Sequence, residues 1–239
     1  MNFKKQKKDV KKAWNWIWNS DSPISWVIAL ILIYIIIKLI FFPVISLVMG
    51  TSLPLAGVES SSMDHQVTKY CEQIDERTGK CIKWSSNYEI CGNIFLKEDK
   101  EHLNFEEYWE NCGNWYDKKK ISKYEFEEFP LKNGFKKGDV IIVWGRFTPK
   151  IGDIVIFQAN AGSQSPYPII HRIVNINEEG IIQTKGDHNE KQLTKNNNRF
   201  ETDETYIQEN QLIGKAIIKI PYLGYPKIWL TDIINVLRR

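Results

Sequence analysis

The longest apolar run lies near the N-terminus. From Pro23 to Gly50 the chain reads PISWVIALILIYIIIKLIFFPVISLVMG, with Lys38 as its only charge. An α-helix needs about 20 mainly apolar residues to cross a bilayer core, and this run exceeds that. The apolar part of a cleaved secretory signal is about 7–15 residues, so the length argues for a retained anchor. Lys38 can snorkel partway or face protein or water, and Pro43 is expected to kink the helix or end it. Trp14, Trp16, Trp18 and Trp26 stand where an interfacial aromatic belt belongs. No second run of that length follows. Between Tyr225 and Leu237, Trp229, Leu230, Ile233, Ile234 and Leu237 share one helical face, a stripe expected to pack on a core.

From Lys137 onward the pattern shortens to β-rich runs bounded by turn residues. Val140–Trp144, Ile154–Gln158, Ile169–Ile176, Ile181–Thr184 and Leu212–Ile220 are each enriched in β-branched or aromatic side chains. Asn177, Glu178, Glu179 and Gly180 read as a tight connection between two of them. Strands at this spacing, without helices between, predict an antiparallel all-β domain. Ser163–Pro168 and Lys195–Arg199 read as exposed loops. Residues 66–133 differ, being rich in charge, Trp, Tyr and Asn. A helix is expected over roughly Leu103–Glu110. A second is opened by Ser122, with Glu125 three residues later, and stopped by Pro130. This stretch reads as an inserted subdomain.

Composition sharpens the picture. Of 239 residues 43% are hydrophobic and 13% aromatic, too many for the chain to stay disordered. The formal net charge is only +3, which excludes nucleic-acid binding by bulk charge. The charge is uneven, because Lys4, Lys5, Lys7, Lys8, Lys11 and Lys12 outnumber Asp9 and Asp21 ahead of the apolar run. Positive charge on that side predicts a cytoplasmic N-terminus and a single-pass protein with a large domain outside. Cys71, Cys81, Cys91 and Cys112 are the only cysteines. An even count outside a membrane predicts two disulfides, in any of three pairings. Zinc is the rival, helped by His102, but no pair has CxxC spacing and no metal is expected.

Three clusters carry side chains that could do chemistry. Val58-Glu59-Ser60-Ser61-Ser62-Met63-Asp64-His65 follows the membrane run by about a dozen residues. Pro168-Ile169-Ile170-His171-Arg172-Ile173-Val174 places a titratable histidine inside an apolar strand. Thr184-Lys185-Gly186-Asp187-His188-Asn189-Glu190 is a polar turn at the end of the next strand. Singly, these are a surface serine loop, a satisfied core histidine and ordinary Gly-Asp turn chemistry. Together they supply a nucleophile, a base and an acidic orienter. A serine hydroxyl is too weak a nucleophile alone. A neutral imidazole can take its proton, and a carboxylate can hold the imidazole in the right tautomer.

The order and wording of these clusters resemble type I signal peptidase. SSM follows an anchor, and GDIVIF, HRIV and TKGDHN come after it. They are most similar to the archaeal and endoplasmic-reticulum branch, in which histidine stands where the bacterial enzymes have lysine. The resemblance covers the anchor, residues 51–65 and about 134–225, including GKAIIKIPYLGYPKI. It implies Ser62 as nucleophile, and its backbone N–H with the Ser60 hydroxyl as the oxyanion hole. It implies His171 as general base. Asp187 and Asn189 match the GD-x-N box opened by Gly186, Gly152 and Asp153 match the GD-x-V box, and Met63 follows the nucleophile. Two positions depart from the family pattern. Ser61 replaces a glycine between the serines, where a side chain could crowd the backbone. Leu193 replaces a second aspartate that is the better candidate to orient the histidine. Asp187 then takes the role, or an acid of the shifted loop such as Glu201 or Asp203. Failing both, the enzyme is a Ser–His dyad.

The resemblance implies a mainly β, signal-peptidase-like antiparallel domain with an N-terminal transmembrane helix and a cysteine-bearing α/β insert. Residues 1–22 are the cytoplasmic basic segment, 23–50 the anchor, 51–65 with 134–239 the catalytic domain, and 66–133 the insert, which is assigned no catalytic role. It implies a cell-membrane serine endopeptidase that removes signal peptides from exported preproteins at the outer face. Preproteins, the lipid bilayer and the export translocon are the expected partners, with no cofactor. The alternative is a non-catalytic preprotein- or partner-binding protein on the same fold.

Overall fold

The computed structural model describes residues 3–75, 81–96, 103–165, 167–198, 201–226, 228–230 and 233. They form two units, Met1–Val48 and Met49–Arg239.

The first unit is helical. Helix α1 (Phe3–Asn19) is followed by α2 (Pro23–Ile36), a π-helical turn at Ile37–Phe41, and α3 (Phe42–Met49). Pro23 sits in the first turn of α2, where its missing N–H costs nothing. The Ser25 hydroxyl donates to the carbonyls of Ser20 and Ser22 and closes the corner between α1 and α2. Pro43 does not end the helix, which runs on to Met49. A proline ring clashes with the carbonyl four residues back and leaves one acceptor unmet. The π turn directly ahead is where the ladder absorbs this. Pro23–Met49 is the one helix among the described residues long and apolar enough to cross a membrane, and none of its apolar face is buried by protein. It fits a membrane anchor.

The second unit is mainly β. Strands β1 (Leu55–Gly57), β5 (Val140–Trp144), β6 (Ile154–Phe157), β7 (Ile169–Ile176), β8 (Ile182–Lys185) and β9 (Leu212–Ile220) form one sheet in the order β1-β5-β9-β6-β7-β8. Every pairing in it is antiparallel. The five apolar runs of the sequence reappear here with ends moved by one residue at most. All four residues of β6 are buried, and this explains its unbroken apolar run. Ile154 and Ile156 join Ala56, Val58, Met63, Phe135 and Ile141 in one core. Val155 and Phe157 join Ile173, Ile182 and Ile207 in another. Period-two alternation thus serves two cores.

Residues 66–133 contribute a second antiparallel sheet, β2 (Thr68–Ile74), β3 (Cys81–Ile90) and β4 (Asn93–Phe95). Helices α4 (Phe105–Lys118) and α5 (Lys123–Glu127) follow, each opened by a capping box, Asn104 with Glu107 and Ser122 with Glu125. Helix α4 runs two turns past the predicted end. Tyr108, Cys112 and Tyr116 recur every four residues and are buried, so tertiary packing overrides Asn111 and Gly113. Their cluster includes Ile90, Phe126 and Val174 of β7, so this stretch packs on the main sheet. The cysteines pair as Cys71–Cys81 and Cys91–Cys112. His102 lies outside the described residues.

The C-terminal stripe corrects an expectation. Trp229, Leu230 and Ile233 are each more than half exposed, so the described part of that stripe packs on no core of its own unit. Ile234 and Leu237 lie outside the described residues.

Candidate active site

Ser62 sits in a tight turn closed by the Asp64 amide donating to the Ser61 carbonyl. Ser61 has no left-handed φ, so this turn does not need the glycine it replaces. Met63 is buried and pins the turn to the core, while its carbonyl accepts from the Phe135 amide. The Ser60 and Ser62 hydroxyls stand 3.2 Å apart. The Ser62 amide donates to no group among the described residues and is available to an incoming oxyanion.

The polar turn after β8 grips this segment. The His188 amide donates to the Ser62 carbonyl at 2.9 Å, and the Asp187 amide lies 3.4 Å from the Met63 sulfur. In the β7–β8 register Arg172 faces Lys185, so one step further Gly186 comes opposite His171. A Cβ on Gly186 would stand 2.8 Å from His171 Nε2 and 2.7 Å from the Ser62 carbonyl oxygen. Glycine is required there because the Ser62 turn and the imidazole close over it. Asn189 closes the same turn, its amide donating to the Gly186 carbonyl.

His171 is buried, and its Nδ1 donates to the carboxylate of Glu204, also fully buried. Glu204 accepts further bonds from the Thr184 hydroxyl at 2.9 Å and the Leu193 amide at 2.7 Å. Its backbone is fixed too, the amide donating to the Leu193 carbonyl and the carbonyl accepting from the Thr184 amide. With the proton held on Nδ1, Nε2 carries the lone pair. Nε2 makes no hydrogen bond among the described residues and points to the Gly186 face shared with Ser62.

The expectation that Asp187 or Asp203 orients His171 is corrected here. Alternate residues of a strand face opposite sides, so His171 points one way and Arg172 the other. Asp187 points to the Arg172 side. Its carboxylate accepts from Arg172 Nε at 2.9 Å and Nη2 at 2.6 Å, from His65 Nε2 at 2.9 Å and from the Tyr116 hydroxyl at 3.1 Å. Burial alone would push this carboxyl up, but the guanidinium and His65 outweigh it and hold it far below the usual carboxylate range. Asp203 spends its carboxylate on the amide and hydroxyl of Thr205. Glu201 is exposed at a left-handed φ. Glu204 lay one residue beyond the acids singled out from the sequence. Its only signal was membership of that acidic loop, because which of two neighbours faces inward is a matter of register.

Gly152 and Asp153 brace the site rather than enter it. Gly152 has φ +92° and accepts from Arg172 Nη1 at 2.9 Å, and Asp153 pairs with Lys215 at 2.7 Å. His188 is neutral and structural, its Nδ1 donating to the Asp64 carbonyl while Nε2 accepts from Thr68. Burial lowers it to about 4. Lys185 is fully buried, its amine 3.0 Å from the Gly186 carbonyl and over the rings of Trp115 and Tyr116. Burial pulls it down to about 8, against the nearby Asp187 and Glu204 charges. A lysine lowered on folding makes the native state more stable as pH rises from the folded value toward the unfolded one of about 10.4. Between pH 7.5 and 9.5, wild type is therefore expected to gain about 2 kcal/mol relative to Lys185→Met in paired denaturant titrations. Parallel curves for the two proteins would refute the buried-cation account.

The Ser62 turn and the His171 imidazole, itself backed by the buried Glu204 carboxylate, meet around Gly186 on an antiparallel β unit, an arrangement similar to the sites of serine hydrolases. No family model matches the chain. It is homologous over 43% of its length to curated proteins named signal peptidase complex catalytic subunit SEC11. The one from Zygosaccharomyces rouxii is 31% identical over 108 residues, 61% of its length. Those from Pyricularia oryzae and Candida tropicalis are each 28% identical, over 59% and 61% of their lengths. The chain thus spans about three fifths of the relatives it matches.

Proposed function

We propose that this protein is a membrane-anchored serine endopeptidase that removes signal peptides from exported preproteins. The observation that carries the reading is the line Ser62, His171 Nε2, His171 Nδ1, Glu204, gathered around Gly186. Nε2 takes the Ser62 proton as the hydroxyl attacks the scissile carbonyl. The Ser62 amide and Ser60 hydroxyl receive the oxyanion, and the imidazolium returns its proton to the leaving amine. Water then hydrolyses the acyl-enzyme by the same base. Glu204 keeps the imidazole in the accepting tautomer and stabilises the imidazolium. Strand β1 ends three residues before Ser60 and is an outer strand of its sheet, so an extended substrate can add alongside it and reach Ser62. Shallow pockets beside such a strand would favour small residues next to the cut.

The lysine-rich segment ahead of Pro23 supports a cytoplasmic N-terminus, with the catalytic unit on the outer face of the membrane that exports preproteins. Anchoring turns the search for an equally tethered substrate into a local one. The relatives' names make them catalytic subunits of a complex, so partner subunits are expected here, and association with the export translocon follows from the same substrates.

Cleavage of a model preprotein by the detergent-solubilised full-length protein tests the reading. Wild type is expected to trim the signal, and Ser62→Ala and His171→Ala each to abolish trimming. Activity is expected to fall on acidification, because a protonated imidazole cannot accept the serine proton. His188 is uncharged in the fold, so stability also declines as pH drops from about 6.5 toward 4, and a parallel melting curve separates the two losses. A folded wild type that cuts none of several preproteins would favour the binding-protein alternative.

A further inference from the structure

Residues 66–133 grip the catalytic turn from the side opposite Ser62. The Cys91 amide donates to the His188 carbonyl at 2.9 Å, and the Cys91 sulfur lies 3.4 Å from the Asp187 carbonyl oxygen. The Tyr108 hydroxyl donates to that same carbonyl at 3.1 Å, and the Tyr116 hydroxyl to the Asp187 carboxylate at 3.1 Å. His65, three residues past Ser62, stacks on Tyr108 with ring centroids 3.7 Å apart. Cys91 holds a left-handed φ of 51°, a conformation that persists only where its surroundings fix it. The Cys91–Cys112 bond does so, joining the β3–β4 turn to the buried Tyr108-Cys112-Tyr116 face of α4. Residues 186–188 are thus clamped between that disulfide and the nucleophile turn.

We infer that the Cys91–Cys112 disulfide, with Tyr108 and Tyr116, positions the Gly186–His188 turn, and through it Ser62 relative to His171, so that the enzyme turns over at its full rate only with this disulfide formed. The inference rests on the peptidase reading. It gives a reacting-site role to a stretch that the sequence motifs leave out. The disulfide touches no substrate, and its effect passes through backbone placement, where a shift of about 1 Å can cost 100-fold in rate. The second disulfide is a built-in control. Cys71–Cys81 joins the middle of β2 to the first residue of β3, and among the described residues neither cysteine bonds to the catalytic turn.

The test compares kcat and KM for cleavage of a model preprotein by full-length wild type, Cys71→Ser/Cys81→Ser, Cys91→Ser/Cys112→Ser and Tyr116→Phe. Folded protein is counted by circular dichroism, so that kcat is per folded molecule. The first double variant should match wild type. The second should lose on the order of 10–100-fold in kcat, with KM changed less than about twofold. Tyr116→Phe keeps the packing and loses the bond to Asp187, and should lose about threefold or more in kcat. Dithiothreitol added to Cys71→Ser/Cys81→Ser converts Cys91–Cys112 to two thiols as the reagent closes to its cyclic disulfide. Loss of activity should track those thiols, counted by mass after alkylation. A reduced, doubly alkylated enzyme with wild-type kcat would overturn the inference. Should Cys91→Ser/Cys112→Ser not fold, unchanged kcat in Tyr116→Phe overturns it instead. Wild type that cuts nothing refutes the peptidase reading and takes this inference with it, an outcome distinct from both.

Discussion

Glu204→Gln is expected to lower kcat for preprotein cleavage by about 10³–10⁴-fold with little change in KM. The Glu204 carboxylate accepts from His171 Nδ1, and an amide in its place can turn its NH₂ toward that nitrogen. Nδ1 would then become the acceptor and Nε2 would carry the proton, so the ring could no longer take one from Ser62. The fold should hold, because the Leu193 amide keeps the other oxygen as its acceptor and the Thr184 hydroxyl can turn to accept from the new NH₂. Asp203→Asn is the paired measurement, since among the described residues that carboxylate serves Thr205 alone and its loss should leave cleavage near wild type. The Leu193 backbone already binds the Glu204 carboxylate. Adding Leu193→Asp to Glu204→Gln is therefore expected to restore part of the rate. Cleavage by Glu204→Gln within about tenfold of wild type would remove Glu204 from the mechanism.

Arg172→Met is expected to destabilise the protein by about 3–5 kcal/mol in denaturant titration. Arg172 is fully buried and uses its donors on the Asp187 carboxylate and on the carbonyls of Pro130, Leu131 and Gly152. Its guanidinium also lies 4.8 Å from the centre of the Phe126 ring. Without it, Asp187 keeps a charge that burial penalises, and three carbonyls lose a partner. Removing both members of a buried pair costs less than removing one, so Arg172→Met/Asp187→Leu should recover part of the loss. The sign with pH follows from the direction of the Asp187 shift. Because its carboxyl is held below the usual range, the pair stabilises the fold at all pH above about 4 and loses that contribution only in stronger acid. A loss under about 1 kcal/mol would show that the pair contributes no more than a surface one.

The two substitutions probe opposite faces of one short segment, Glu204 through His171 and Arg172 directly, and the sequence could not tell those faces apart. His171-Arg172 reads as two polar residues in an apolar strand. Strand alternation demands that they point oppositely, but not which of the available acids each will meet. Ser62, His171 and Gly186 were legible because short ordered motifs carry them. Glu204 was not, since the loop from 194 to 207 returns to β8 through Thr184, Leu193 and the Ile182–Ile207 bridge, contacts between segments far apart in the chain.

Local chemistry was enough for much of the molecule. The length and apolarity of Pro23–Met49 specify a helix that can span a bilayer, and runs of β-branched residues specify β5, β7 and β9 to the residue. Ser122 and Glu125 specify the start of α5, and Ser62-Met63, His171 and Gly186-Asp187 specify the site's main parts. Each of these follows from a period, a cap or a side-chain type acting within a few residues. Tertiary structure alone decided the rest: the cysteine pairing, the extension of α4, the carboxylate on His171, and the clamp of residues 66–133 on the catalytic turn. Those depend on which distant surfaces bury one another. That is settled by packing and by the need of buried charges for partners, and no local pattern encodes it.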